Sequence, residues 1–123
     1  MAAITKHKLT RTIRLWSPVF LCAVFIFCFS SIKGKDVPPL FPYADVFFHF
    51  TVYAALAFFI CRAVDKTVTS IYNSKTFFLC ICLSSFYGAS DEFHQIFVPG
   101  RSASFIDLLT DSIASIAGAI LYL

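Results

Sequence analysis

Polar residues in this chain are gathered into short breaks between long apolar runs, and the lengths of those runs are its first informative feature. A run from Leu15 to Ile32 follows a basic start. A second extends from about Asp45 to Val64. A third begins near Thr76 and stays apolar to Tyr87 before a polar tail, and a fourth fills Ser104 to Leu123. Each, the third with its tail included, approaches the ~20 residues that an α-helix needs to cross about 30 Å of hydrocarbon. The pattern therefore predicts an all-α fold, a polytopic membrane bundle of four transmembrane helices.

The breaks carry turn chemistry. Lys33 to Tyr43 holds Gly34, Pro38, Pro39 and Pro42, which free or interrupt the backbone, and it reads as a loop. Segments two and three are joined by a short polar link with Arg62, Asp65, Lys66, Asn73 and Lys75. After the tail Asp91-Glu92-Phe93-His94-Gln95, Pro99-Gly100 stops any helix and makes a polar turn between helices three and four. Ser102 or Ser104 can cap the fourth segment. A cleavable signal peptide would share the basic start, but the first run is long for such a leader and no small-x-small site follows it.

Basic residues set the expected orientation, because Lys and Arg are retained on the cytoplasmic side. Lys6, Lys8, Arg11 and Arg14 precede the first segment, and Arg62, Lys66 and Lys75 lie between segments two and three. The other two loops hold only Lys33, Lys35 and Arg101, so the balance is seven against three. This places both termini in the cytoplasm and the protein in the cell membrane. The Asp45 end of segment two, the Asp91 end of segment three and the Ser104 end of segment four would then share the outer side.

Composition supports a lipid solvent. Of 123 residues, 59% are apolar and 14% charged, and the mean hydropathy is +0.79. A water-soluble domain this small could not display 16 Phe without large adhesive patches. The net charge of +3 sits between apolar runs, where membrane orientation accounts for it, and no nucleic-acid motif is visible. Cys22, Cys28, Cys61, Cys80 and Cys82 are odd in number and all fall in apolar runs, so they read as small apolar fillers rather than a disulfide framework.

Five of the seven acids, Asp45, Asp91, Glu92, Asp107 and Asp111, lie on the three ends expected to meet. A carboxylate near hydrocarbon costs several kcal/mol unless paired, hydrated or protonated, so such residues are expected to face a cavity or each other. Their spacing agrees with this. Asp45, His49 and Tyr53 recur every four residues, as do Tyr87, Asp91 and Gln95, and Asp107 and Asp111, so each helix offers one polar stripe. Three converging stripes would build an outward polar pocket, with Arg101 on the turn beside it. Against five carboxylates stand Arg101, His49 and His94. Some acids must therefore be protonated at neutral pH or be neutralised by a bound cation or amine.

These residues resemble the VanZ-like family of bacterial membrane proteins. The resemblance rests on Asp45-x3-His49-Phe50-x2-Tyr53, then Tyr87-Gly88-x2-Asp91-Glu92-x2-Gln95-x-Phe97-Val98-Pro99-Gly100-Arg101, then Asp107-x3-Asp111 with Gly118. It covers 45–118 of a single domain spanning 1–123, the first helix agreeing only in hydrophobic character. Two departures stand out: Val46 occupies a position where the family often has Lys, and Asp111 one where it often has Asn. The resemblance implies a cell-envelope membrane protein that acts on a lipid-linked or surface-exposed envelope component. Founding members are associated with resistance to the glycopeptide antibiotic teicoplanin.

Two functional readings follow. In one, a cationic or amine-bearing envelope molecule or a lipid headgroup docks between Asp91, Glu92 and Arg101. In the other, the chain is a membrane-embedded hydrolase or transferase, with Asp91 or Glu92 as general base and His94 or His49 as proton relay. Plainer readings compete at each position. Asp91, Glu92 and Arg101 could pair as a structural knot, His49 could be a hydrogen-bonded interior histidine, Tyr53 and Tyr87 could be interfacial aromatics, and Asp107 a helix-dipole partner. A metal site from His49, His94 and carboxylates lacks HExxH-type spacing, so no metal or other cofactor is expected. The expected partners are membrane lipids, and Ala114 and Gly118 offer a small-residue face for a second copy of the chain.

Overall fold

The computed structural model describes residues 2–38, 40–68 and 73–123. Pro39 and the stretch 69–72 of the link between helices two and three lie outside the described residues. Four α-helices follow in order: α1 (Ala2–Ser30), α2 (Ala44–Thr67), α3 (Ser74–Gln95) and α4 (Phe105–Tyr122). A single 3-10 turn at Gly34–Asp36 lies between α1 and α2. Three of them, α1 from Lys6, α2 and α4, are long and apolar enough to cross a membrane. At ~1.5 Å per residue the 24 residues of α2 extend about 36 Å. α3 is not among the three, because Asp91, Glu92 and their polar neighbours fill its last turns.

Helix boundaries follow local chemistry. The Asn73 carboxamide accepts from the backbone N–H of Lys75 and Thr76 and so starts α3, and Ser104 accepts from the N–H of Asp107 and starts α4. The first helix begins well before Leu15, since the basic stretch contains good helix formers and lacks Gly and Pro. Pro18 sits inside it without ending it. Proline has no N–H to offer the Arg14 carbonyl, and the Ser17 hydroxyl donates to that oxygen instead, at 3.4 Å.

α2 is the centre of the bundle. Like α3 it touches each of the other three helices, while among the described residues α1 and α4 do not meet. Its tightest seam is with α4, where a Cβ on Gly118 would collide with the Ala54 carbonyl oxygen; only glycine lets the two backbones approach this closely. Ala114 and Ala119 are buried on the same helix, so the small-residue face of α4 packs within its own chain. Outside the seams, Phe20, Phe78, Phe86 and Phe105 are among many large apolar side chains left exposed, as a lipid-facing surface requires.

The end of α1 and the turn before α4 are interlocked. The Gly34 N–H donates to the Pro99 carbonyl at 3.0 Å, and a Cβ on Gly34 would strike the Gly100 carbonyl oxygen. Gly100 itself has φ +77, the left-handed region that favours glycine. At the opposite end, the Trp16 indole donates to Thr67 at 3.0 Å and the Tyr122 hydroxyl to Asp65 at 2.6 Å. The C-terminal ends of α1 and α3 and the N-terminal ends of α2 and α4 thus share one side of the bundle.

Replacing Gly118 with Ala is expected to destabilise the bundle by about 2 kcal/mol or more through overpacking against Ala54. Ile120→Ala on the exposed face should change stability by less than roughly 0.5 kcal/mol. Thermal or detergent unfolding followed by circular dichroism measures both.

Candidate functional site

The three polar stripes converge where α2, α3 and α4 meet, and burial deepens along them. On α2, Asp45 is exposed, His49 partly buried and Tyr53 fully enclosed. On α4, Asp107 is partly buried and Asp111 has no exposed surface, while on α3 Asp91, Glu92 and Gln95 are all buried. His49 Nδ1 and Asp111 Oδ1 are hydrogen-bonded at 2.9 Å, and this pair ties α2 to α4 at their polar ends. Gly88 makes room for it, since a Cβ there would lie 2.9 Å from Asp111 Oδ2.

Glu92 and Asp91 point to different neighbours. Glu92 Oε2 accepts from the Ser104 N–H at 2.7 Å, so the carboxylate of α3 holds the residue that caps α4. Asp91 Oδ2 accepts from the Gln95 amide at 3.4 Å, one turn along the same helix. One donor atom each from His49, Glu92 and Asp111 lies within 4.8 Å of the others, which makes these three the residues able to hold a metal among those described. Glu92 Oε1, Asp111 Oδ2 and the Tyr53 hydroxyl are buried without a hydrogen-bond partner.

Beside this cluster lies a cavity of about 430 Å³ between α1, the 33–43 loop, α2 and the end of α3. Its walls are largely apolar, with Phe25 and Phe29 from α1, Phe41 from the loop, and Phe48 and Val52 from α2. Its polar lining comprises Ser30, Asp45, His49, Tyr53, Asp91, Gln95 and Arg101. Glu92 and Asp111 do not line it; they stand behind His49, inside the helix seams.

Several expected roles change. Arg101 forms no ion pair with Asp91 or Glu92: its Nε donates to the Ile32 carbonyl at 3.1 Å and its Nη2 to the Phe29 carbonyl at 3.3 Å. Phe29 lies in the last turn of α1 and Ile32 two residues past its end; carbonyls at a helix C-terminus carry partial negative charge, and the guanidinium meets it there, sharing the Phe29 oxygen with the Ile32 N–H. His94 turns away from His49 toward α1, hydrogen-bonded to Ser31 at 3.0 Å and stacked on Phe27 with ring centres 4.8 Å apart. This separates the two histidines that a shared metal site would have needed. Tyr87 donates its hydroxyl to the Ala23 carbonyl at 2.6 Å, holding α3 against α1 rather than lining the cavity. Asp107 sits in the first turn of α4, where its charge complements the helix dipole.

Sequence reading missed the α1 wall and the Ser104 contact. Phe25 and Phe29 stand four residues apart, a helical spacing, but nothing in the chain marks one apolar face of α1 as the one that faces a cavity.

A double-mutant cycle of His49→Gln and Asp111→Asn is expected to give a coupling energy of about 1–3 kcal/mol in unfolding, because each single change leaves a buried polar group without its partner. Additive effects would remove the pair as a structural tie between α2 and α4.

The comparisons agree with the motifs. A family model described as VanZ/LLP1 matches residues 15–123, nearly the whole chain, and so takes in the first helix as well as the three that carry the polar stripes. No curated protein and no solved structure matches. With the family pattern extending from Leu15 to the last residue, the chain belongs to the VanZ/LLP1 family.

Proposed function

We propose that this is a cell-envelope membrane protein that binds an amphipathic envelope molecule, a lipid headgroup or a lipid-linked component bearing an amine or other cation. All four helices cross the membrane, both termini are cytoplasmic, and the cavity opens at the outer side. α3 serves as the fourth span because its polar turns are sheltered by α2 and α4 rather than exposed to lipid. The carrying observation is the cavity itself, where aromatic walls suited to an apolar chain meet a lining that includes Asp45 and Asp91 but only one obligate cation, Arg101. That cation is already engaged by the α1 carbonyls, which leaves the carboxylates to attract positive charge.

A second reading is favoured by the His49–Asp111 contact. A carboxylate that holds one ring nitrogen of a histidine fixes its tautomer and leaves the other nitrogen to take a proton, and His49 lines the cavity. In this reading the chain is a membrane-embedded hydrolase or transferase with His49 as general base and Asp111 as its positioning residue.

Native mass spectrometry of the protein extracted with its lipids is expected to show a retained amine-bearing amphiphile. Asp91→Asn should reduce its retention roughly tenfold, equivalent to ~1.4 kcal/mol, while Asp65→Asn at the opposite end should leave it unchanged. Expression in a teicoplanin-sensitive host should raise the tolerated concentration for the wild type and not for Asp91→Asn; unchanged tolerance with the wild type would remove the resistance role. If the enzyme reading holds, incubating purified protein with envelope lipid extract should yield a new lipid species that His49→Gln abolishes. No new species would eliminate that reading.

A further inference from the structure

The inner ends of the stripes hold more negative charge than the visible partners satisfy. His49, Glu92 and Asp111 come from three different helices and bring one donor atom each within 4.8 Å. Asp111 has no exposed surface and Glu92 is 5% exposed, yet Asp111 Oδ2 and Glu92 Oε1 have no hydrogen-bond partner. With neutral imidazole and both carboxyls ionised the group would carry two negative charges, and among the described residues no Lys or Arg forms an ion pair with it. A buried ionised group of this kind is costly unless paired, protonated or bound to a metal.

An independent feature sits beside it. Tyr53 is fully buried, its hydroxyl has no partner, and its ring stacks on His49 with centres 6.1 Å apart. A tyrosine hydroxyl ordinarily finds a hydrogen bond when enclosed. A water or hydroxide on a metal ion would supply the missing partner.

We propose that His49, Glu92 and Asp111 bind a divalent metal ion of the zinc or manganese type, next to the buried Tyr53 whose ring stacks on His49. The donor set of one imidazole nitrogen and two carboxylate oxygens suits both ions. The 2.9 Å between His49 Nδ1 and Asp111 Oδ1 is the separation of two adjacent ligands with bonds of about 2.1 Å meeting near a right angle, as in octahedral manganese, and tetrahedral zinc would draw them apart to about 3.4 Å. Glu92, whose donor atom lies within 4.8 Å of the other two, would have to bring an oxygen closer to complete the site. A dication also neutralises the two carboxylates, which removes the charge deficit without recruiting Arg101 from α1. Three protein ligands leave a position open, the arrangement of catalytic rather than structural zinc. The site does not require the amphiphile reading, and it is an alternative to the metal-free proton-transfer reading, because both use His49 Nδ1.

The test uses the full-length protein in detergent, stripped with EDTA, incubated with Zn²⁺ or Mn²⁺ and passed over a desalting column. Metal content is read by elemental mass spectrometry and stability by thermal unfolding. The wild type is expected to retain a stoichiometric ion and to unfold at a higher temperature with it. His94→Gln should behave like the wild type. Glu92→Gln and Asp111→Asn should weaken binding by about 100-fold or more, the upper end of what loss of even an outer-shell partner costs. Absence of both retained metal and thermal shift in the wild type would overturn the site, as would equal retention by both carboxamide variants. If those variants do not fold, the wild-type titration decides alone. Amphiphile retention measured on stripped protein separates failure of this site from failure of the cavity reading.

Discussion

Asp111 lies on α4 with no exposed surface, in a bundle whose outer face is apolar, and a carboxylate in that position must find its partners inside the chain. Much of the local architecture answers that requirement. His49 reaches across from α2 to one oxygen, Gly88 leaves α3 without a side chain where the other oxygen lies, and Gly118 lets α4 approach α2 closely enough for the pair to form. Glu92 obeys the same rule by accepting the Ser104 N–H, which ties the cap of α4 to α3. The seams of the bundle and its polar centre are therefore one structure.

α1 stands outside this centre and is held by different means. Among the described residues it does not touch α4, and backbone carbonyls of its outer half and just beyond its end take polar contacts: Tyr87 donates to Ala23, and Arg101 donates to Phe29 and Ile32. A guanidinium is well suited to the last task because its planar donors can serve two carbonyls at once and it remains charged at any physiological pH. The consequence for the site is a wall of aromatic side chains from α1 facing the polar lining supplied by α2 and α3, with the cavity between them. An apolar wall opposite a polar one is the arrangement that suits an amphipathic ligand.

The cavity and the buried cluster share His49, which lines the first and belongs to the second. Anything that changes the charge state or coordination of the cluster is felt in the cavity through that one imidazole. A position shared in this way links what the bundle needs for its own packing with what it offers to a ligand.

The apolar run lengths, the basic residues between them and the four-residue spacing of Asp45, His49 and Tyr53 were all legible along the chain, because helical period and membrane thickness act on local sequence. Those rules located the helices and marked which residues of α2, α3 and α4 would face inward. They did not say which polar groups would meet. Arg101 seemed a partner for the acids and instead serves α1; His94 seemed equivalent to His49 and instead packs on Phe27; Ser104 appeared only as a cap and also binds Glu92. Sequence spacing determines the face of a helix a side chain occupies, whereas the neighbour it finds there depends on how closely and at what height the helices pack, and those distances are set by contacts between residues far apart in the chain.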